Sequence, residues 1–559
     1  MAKPTVAIYG IKDWANDKYP TFAHDHNLCI MQNGEILQYL QLERYTRRKY
    51  DNRLDLYLED LIVNKIIELP EEFDFVCAND FTGNAFISKN GCIHFEANSY
   101  TSLPNEAFNA KSRFFSKEIQ AYCCPHELAH IFATLPFYGE LLKNSLLVSF
   151  DGMSSLGNYS AFVYSYGSLI LIDNNEEDLG FISKFFNDNA LTFRILGAKN
   201  YEHCSVPGKL MGFASFGKYN ANIEKWLKEN NYFNGLQNYS DTQILESIQK
   251  RFGNNVCTEF DSNSTKNSFL QDVATTFQHI FENTVLQKLE KLQSKYHCNN
   301  LYYGGGCALN IVTNTKIVES GLFKNVFIAP CCNDSGLSIG AATCLEMQKG
   351  NAIKKHSPYL NNVGLSSETI AEPTQELIQE VAKILLNGGI IGVCNGYGEA
   401  GPRALGNRSL LALPNDKELA KKLSMEVKKR EWYRPIAPVM LQKLAQKVSV
   451  QDINPLAKFM LSDFEIKHEF DRDLCGVIHE NQTARIQTIE SESDNAFIYN
   501  LLTYLHENNG ILGLINTSFN AQGEPIVHTK EDAFSNAKAM HLDALVYNNT
   551  LITKENFSK

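Results

Sequence analysis

The sequence predicts an α/β architecture in at least two domains, and three observations lead there. Short apolar, β-branched-rich runs bounded by turn residues recur at Val6–Tyr9, Leu146–Phe150, Leu169–Ile172, Val326–Ile328 and Ile390–Val393, which is how buried strands read. Amphipathic helical patterns fill the gaps, as in Asp272–Leu292 ("DVATTFQHIFENTVLQKLEKL") and Thr374–Leu386, and such alternation builds layered sheets and helices. The 559 residues also exceed what one hydrophobic core organises, at about 150 residues per domain.

Composition narrows the class. With 44% hydrophobic, 21% charged and 11% aromatic residues, the chain reads as globular rather than fibrous or disordered. Lys and Arg number 52 against 63 Asp and Glu, a net charge of −11, so the field repels polyanions and no nucleic-acid partner is expected. The start, "MAKPTVAIYGIKDWANDKYP", lacks an apolar h-region, and no segment reaches the roughly 18 apolar residues of a membrane span. A cytoplasmic location without membrane association is the expectation. Fourteen cysteines, with adjacent pairs at Cys123-Cys124 and Cys331-Cys332 and no C-x-x-C spacing, fit reduced, buried thiols.

Taken along the chain, two strands turn tightly into polar loops, "VAIYGIKDWANDKYPTFAHD" and "LLVSFDGMSSLGNYSAFVY". Such turns let backbone amides approach phosphate, and a duplicated pair is the core device of actin-like ATPase folds. Between them lies "CPHELAH", Cys124–His130. Pro125 suits the first helical position, and His126 and His130 then share one helix face, where a single ion reaches both. A protease of the extended H-E-x-x-H-x-x-G-x-x-H type would need Gly and His at 133 and 136, where Ala133 and Pro136 stand, so that reading fails. Glu127, about 100° around the helix from His126, is expected to be solvated. The runs "SFDG" and "CCNDSG" end apolar stretches with Asp151 and Asp334, carboxylates at strand ends, where open α/β sheets bind ligands. Two His and two Asp form a mixed N/O set suited to iron(II), manganese or zinc. In "YYGGGCALN", Gly304, Gly305 and Gly306 free the backbone to approach a flat or anionic ligand, or make a plain tight turn.

Residues 350–373 ("GNAIKKHSPYLNNVGLSSETIAEP") lose periodicity and collect Gly, Pro, Asn and Ser, so we place a boundary there: a first domain over 1–355, a linker over 356–372 and a second domain over 373–559. The second part carries four polar runs. "NGYGEAGPRALGNRSLLALP" holds Arg403 and Arg408; "VKKREWYRPIAPVM" adds Lys428, Arg430 and Arg434; "TARIQT" adds Arg485; "INTSFNAQGEPIV" supplies Asn516, Ser518 and Asn520. Arginines in ordered loops recognise phosphate bidentately, and amides and hydroxyls complete an oxyanion cradle.

These runs, in this order, resemble the O-carbamoyltransferases of antibiotic and nodulation-factor biosynthesis. The resemblance covers nearly the whole chain: "AHDHNLCIMQNGEI", "LERYTRRKYD", "PHELAH", "SFDG", "PGKLMGFASFG", "GGGCALN", "PCCNDSGLSIGAA", "SPYL" and the four C-terminal runs. It implies an N-terminal actin-like domain similar to tRNA threonylcarbamoyl transferases, followed by a YrdC-like α/β domain that forms carbamoyl-adenylates. It implies that His126, His130, Asp151 and Asp334 bind a metal, usually iron(II), that His24 acts near the acceptor, and that Lys209 and Arg403 belong to the reacting machinery. Gly304, Gly305, Gly306 and Asn310 match the nucleotide-binding loop. Arg403, Lys428, Arg434, Arg485, Ser518 and Asn520 match the lining of a site for carbamoyl phosphate and ATP with Mg²⁺; Arg408 and Asn516 stand beside them. The implied reaction is ATP-dependent transfer of a carbamoyl group, through carbamoyl-adenylate, to a hydroxyl of a small molecule or glycan. A tRNA-modifying carbamoyl-adenylate enzyme is the alternative, and the net charge of −11 counts against it. A homodimer is the default assembly. Departures from the family pattern are His26-Asn27, "DGMSS", Glu127 and Cys307, and they bear on the acceptor and on phosphate contacts.

Overall fold

The computed structural model describes residues 3–11, 23–79, 82–83, 85–174, 179, 182, 189–197, 204–232, 238–260, 268–366 and 370–557. Its first sheet runs, edge to centre, through strands Glu35–Gln41, Asn27–Gln32, Thr5–Tyr9, Asp74–Asn79 and Ala121–Pro125. The first three form an antiparallel meander and the last two join in parallel. All five residues of Thr5–Tyr9 are buried, so this strand reads as a continuous apolar run rather than an alternating one, as expected where helices cover both faces. The hairpin strands Phe108–Phe114, Ile93–Glu96 and Ala85–Ile87 extend the sheet beyond Ala121–Pro125.

A second sheet repeats that plan. Strands Ser168–Asp173, Gly157–Ser165, Ser145–Ser154, Asn300–Gly304 and Asn325–Phe327 follow the same succession of two antiparallel and two parallel pairings. Of the two strand-to-loop turns read from the sequence, the second is the Ser145–Ser154/Gly157–Ser165 hairpin; the first falls largely on 12–22, outside the described residues. Helix His126–Phe132 follows the last strand of the first five and helix Leu337–Gln348 the last of the second five. The two pack so closely that a Cβ on Gly340 would lie 1.7 Å from Ala129 O. The predicted helix at 272–292 is longer, Ser268–Tyr296; the one at 374–386 is Gln375–Leu386, capped by the Thr374 side chain accepting from Leu377 N.

The second half is built on a mixed seven-stranded sheet in the order Gln487–Ile489, Ala437–Leu441, Leu514–Ser518, Arg408–Ala412, Ile391–Cys394, Ala544–Tyr547, Thr550–Thr553. Part of the segment read as a linker is ordered as a strand. Within it, strand Tyr359–Asn361 pairs with Gly398–Glu399, and its neighbours occupy the outer edge of Glu35–Gln41: the amides of Ile36, Tyr39 and Gln41 donate to His356 Nε2, Asn362 Oδ1 and Asn361 Oδ1 at 3.2, 3.0 and 3.3 Å. An edge strand's unpaired amides are satisfied by this segment. The halves also share a core, since the buried cluster around Ala7, Leu128 and Ile339 takes in Ala400, Leu405, Tyr433 and Ala437. Among the described residues, no helix is long and apolar enough to cross a membrane, and none of the fourteen cysteines is joined in a disulfide.

Candidate functional site

The repeat brings four side chains to one point. His126 and His130 lie on a helix whose seven residues are all buried. Asp151 sits in the strand Ser145–Ser154, and Asp334 opens a short 3₁₀ turn before helix Leu337–Gln348. One ligand atom from each falls within 4.8 Å of the others. The two Nε2 atoms are 2.8 Å apart. Asp151 Oδ2 is 2.9 Å from His130 Nε2 and 3.3 Å from that of His126, while Asp334 Oδ1 is 3.5 and 3.7 Å away. Burial would raise the Asp151 carboxyl, but His130 and His126 hold it well below the usual range. Burial, reinforced by Asp151, pushes Asp334 up to about 6 against His24, His126 and His130. Four convergent N/O donors in a buried setting fit a divalent transition metal.

Each carboxylate has its other oxygen held by protein. Asp151 Oδ1 accepts from Gly152 N at 2.8 Å and Gly306 N at 2.9 Å; Asp334 Oδ2 accepts from Tyr9 Oη at 3.1 Å. The glycine loop therefore serves the ligand set: Gly305 (φ 95°) has room only for hydrogen, a Cβ there meeting Phe150 O at 2.2 Å, and a Cβ on Gly304 would meet His130 O at 2.7 Å. Asn310, expected on a nucleotide, caps helix Ile311–Glu319 through Thr313 N and exchanges hydrogen bonds with Gln278, so its amide is committed to the fold.

His24 is half-buried beside this group. Its Nδ1 is 3.1 Å from Asp25 Oδ2 and 3.8 Å from Asp334 Oδ2. Burial would lower its pKa, but Cys204, Asp334 and Asp25 outweigh that and raise it well above the ordinary value. Asn27, one of the departures from the family pattern, ties this corner together by donating to Asp25 O and Asp334 O at 2.6 and 2.8 Å. Glu127 is not solvated as expected. It is buried, accepts from Ser155 Oγ at 2.5 Å and Leu156 N at 3.0 Å, and anchors the hairpin that carries Asp151. It is enclosed because the helix has no open face.

The second cluster comes from the C-terminal runs. Arg403 rises from the loop between Gly398–Glu399 and Arg408–Ala412; Lys428, Arg430 and Arg434 follow a stretch of π-helix at Lys422–Val427; Arg485 precedes Gln487–Ile489. A π-helical turn often marks a functional site. Burial and the neighbouring cations, Arg403, Arg430 and Arg434, push Arg485 well below its ordinary pKa; burial and Arg434 bring Arg430 down to about 9; burial, with Arg434, lowers Arg403. The Nε atoms of Arg403 and Arg485 are buried with no hydrogen-bond partner among the described residues. Buried like charges with unused donors suit an anion. Burial, with Arg430, Lys49 and Arg434 around it, holds Lys428 well below the ordinary lysine value. Its Nζ orders the adjacent turn by donating to Ser518 O, Asn520 O and Asn520 Oδ1 at 2.6, 2.6 and 2.7 Å.

Two residues expected at the phosphate site are engaged by the protein itself. Arg408 is buried, its Nη1 donating to Asn395 O and Asn407 O and its Nη2 to Gly396 O and His528 O; carbonyls have captured the guanidinium. Asn516 donates to Ala404 O and Gln487 Oε1, tying the Arg403 loop to the sheet. Sequence reading gave no role to Tyr9, Asp25, Lys49 or Glu431. Only Glu431 left a signal, as a lone carboxylate in the basic run 428–434.

The clusters adjoin. Gly401 of the Arg403 loop lies against Pro330 and Cys331, leading to Asp334: a Cβ there would meet Pro330 O at 2.3 Å. Arg44 Nη2 donates to Gly401 O at 2.8 Å. Lys209, buried on helix Val206–Ala214, pairs with Glu431 at 2.7 Å, so it reaches the second cluster from the first half.

Residues 105–343 match the family described as carbamoyltransferase N-terminus and residues 382–554 that described as carbamoyltransferase C-terminus. The 3'-hydroxymethylcephem-O-carbamoyltransferase of Amycolatopsis lactamdurans is 26% identical over 94% of this chain and 97% of its own length. Nodulation protein NolNO of Sinorhizobium fredii is 25% identical over 96% of this chain and 80% of its own. Among solved structures, HypF of T. kodakarensis aligns at 10% identity with a TM-score of 0.30, covering 62% of this chain and 48% of that one.

Proposed function

The chain belongs to the carbamoyltransferase family, and from that premise we propose that it is an ATP-dependent O-carbamoyltransferase that uses carbamoyl phosphate and acts on a hydroxyl of a small molecule or glycan. The observation that carries this reading is the contact of the Arg403 loop with Pro330–Cys331, which sets a cluster of buried cations, two of them with unused Nε donors, against the two-histidine, two-aspartate group.

In the proposed sequence, the second half, read as a YrdC-like domain of 373–559, binds carbamoyl phosphate and ATP with Mg²⁺. Arg403, Arg430, Arg434 and Arg485 balance phosphate charge as water cleaves carbamoyl phosphate to carbamate and phosphate and a carbamate oxygen then displaces pyrophosphate from the α-phosphorus of ATP. The carbamoyl-adenylate then passes to the first half, read as an actin-like domain of 1–355, a reading that the repeated sheet plan supports. The short distance matters because the mixed anhydride is lost to water. His126, His130, Asp151 and Asp334 would hold a divalent ion, iron(II) in this proposal, which when bound supplies polarisation of the carbonyl or orientation of the phosphate. The acceptor's oxygen attacks the carbamoyl carbon and AMP leaves; the neutral form of His24, disfavoured by the charges of Cys204, Asp334 and Asp25 until an acceptor is in place, takes the hydroxyl proton, and the Gly304–Gly306 loop borders the adenylate.

The test uses the full chain. With carbamoyl phosphate and ATP alone it is expected to release pyrophosphate without RNA; Arg403→Ala abolishes this, while His126→Ala leaves pyrophosphate release and removes transfer to the acceptor. A strict requirement for tRNA, or equal loss of both steps in His126→Ala, would sink the proposal.

A further inference from the structure

The two carboxylates of the proposed metal centre are each held by one oxygen, leaving the other toward the histidines. For Asp151 the holders are the amides of Gly152 and Gly306, 2.8 and 2.9 Å from Oδ1. For Asp334 the holder among the described residues is the side chain of Tyr9, whose hydroxyl lies 3.1 Å from Oδ2; His24 Nδ1 lies 3.8 Å from the same oxygen. Tyr9 comes from the central strand of the first sheet, whereas Asp334 leads into the last helix of the second.

We propose that Tyr9 is the positioning residue of the metal centre: its hydroxyl fixes Oδ2 of Asp334 so that Oδ1 is the oxygen offered alongside His126 and His130. Three observations support this. Oδ1 is the Asp334 oxygen nearer the imidazoles, at 3.5 and 3.7 Å. Tyr9 is fully buried, and its ring is wedged edge-on against His126 at 6.0 Å and His26 at 5.4 Å, so the hydroxyl has little freedom to turn elsewhere. Asp334's backbone is pinned independently by Asn27, which leaves rotation of the carboxylate as the freedom that Tyr9 removes. Outer partners of this kind orient ligands and typically change metal affinity by about 10- to 100-fold.

The inference rests on reading this group as a metal site, and the experiment separates the two. Tyr9→Phe keeps the ring and deletes one oxygen. Binding of Co(II) to the full-length protein is measured against a chromophoric chelator, and the visible spectrum of the bound ion reports its coordination. The expected result is a Kd about tenfold weaker in Tyr9→Phe with an altered d–d spectrum, as the released carboxylate rotates, while thermal unfolding without metal stays close to that of the parent. An unchanged Kd and spectrum in Tyr9→Phe, with His126→Ala abolishing binding, would overturn the role of Tyr9 and leave the metal site standing. Binding that survives His126→Ala would overturn both.

Discussion

Arg408→Ala separates a brace from a ligand. The guanidinium is 1% exposed and donates to four carbonyls at 2.7, 3.0, 2.7 and 3.0 Å. Hydrogen bonds from a charged donor contribute about 1.5 kcal/mol each at the low end, so four amount to about 6 kcal/mol before desolvation. Burying the cation takes back several kcal/mol, and its Nε lacks a partner among the described residues. A net loss of about 3 kcal/mol is therefore expected for the alanine variant, in the range of a broken buried network. Urea unfolding of the full chain, followed by circular dichroism, measures it; pyrophosphate release against carbamoyl phosphate concentration gives KM alongside. The expected pattern is a large loss of stability with KM changed less than about threefold in the fraction that remains folded, a binding difference below 1 kcal/mol. Stability within about 0.5 kcal/mol of the parent, the ordinary range for a surface change, with KM raised more than tenfold would refute the bracing role and return Arg408 to the phosphate pocket.

Two further outcomes follow from packing and burial. His528 is buried, 2.9 Å from Val363 O, and burial, with Arg408, pushes its pKa down to about 4 against the pull of that carbonyl. The unfolded chain takes up the proton first, near 6.5, so this contribution is intact above that pH and is lost between about 6.5 and 4 at up to about 1.4 kcal/mol per pH unit; His528→Gln should remove that slope from a pH series of unfolding curves. In Gly340→Ala the added methyl meets Ala129 O at 1.7 Å, so helices His126–Phe132 and Leu337–Gln348 must separate, costing about 1 to 3 kcal/mol and weakening metal binding; unchanged Tm and metal affinity would show that the crossing is softer than its geometry.

What the sequence disclosed was local or sat at an element's end. His126 and His130 are one helical turn apart, and Asp151 and Asp334 each close an apolar run, so their types and faces were legible. That they meet depends on the repeated sheets, which no window of sequence contains. Arg403 and Arg408 stand five residues apart in the same Gly/Pro-rich run; what divides them is a set of carbonyls, from Asn395 and Gly396 at the head of that run, folded back on Arg408 by the turn, and from His528, 120 residues away. Asn310 did carry a local signal, an Asn three residues before Thr313 at the head of an apolar helix, the pattern of an N-cap. Glu127 was misjudged because helical periodicity gives directions around an axis and not what surrounds it. Tyr9 sits in "VAIYG", where nothing separates a packed aromatic from one whose hydroxyl reaches a residue 325 positions away.

The segment at 356–366 lies along the outer rim of the first sheet while strand Tyr359–Asn361 also pairs with the second half, and Arg47 crosses the same seam to Pro525 O and Ile526 O. A peptide bond cut near residue 355 would therefore not release two fragments. The pieces are expected to co-elute and retain activity as a nicked pair, whereas either half expressed alone would expose a sheet rim or a bare apolar face, so production of this enzyme in parts calls for co-expression of both.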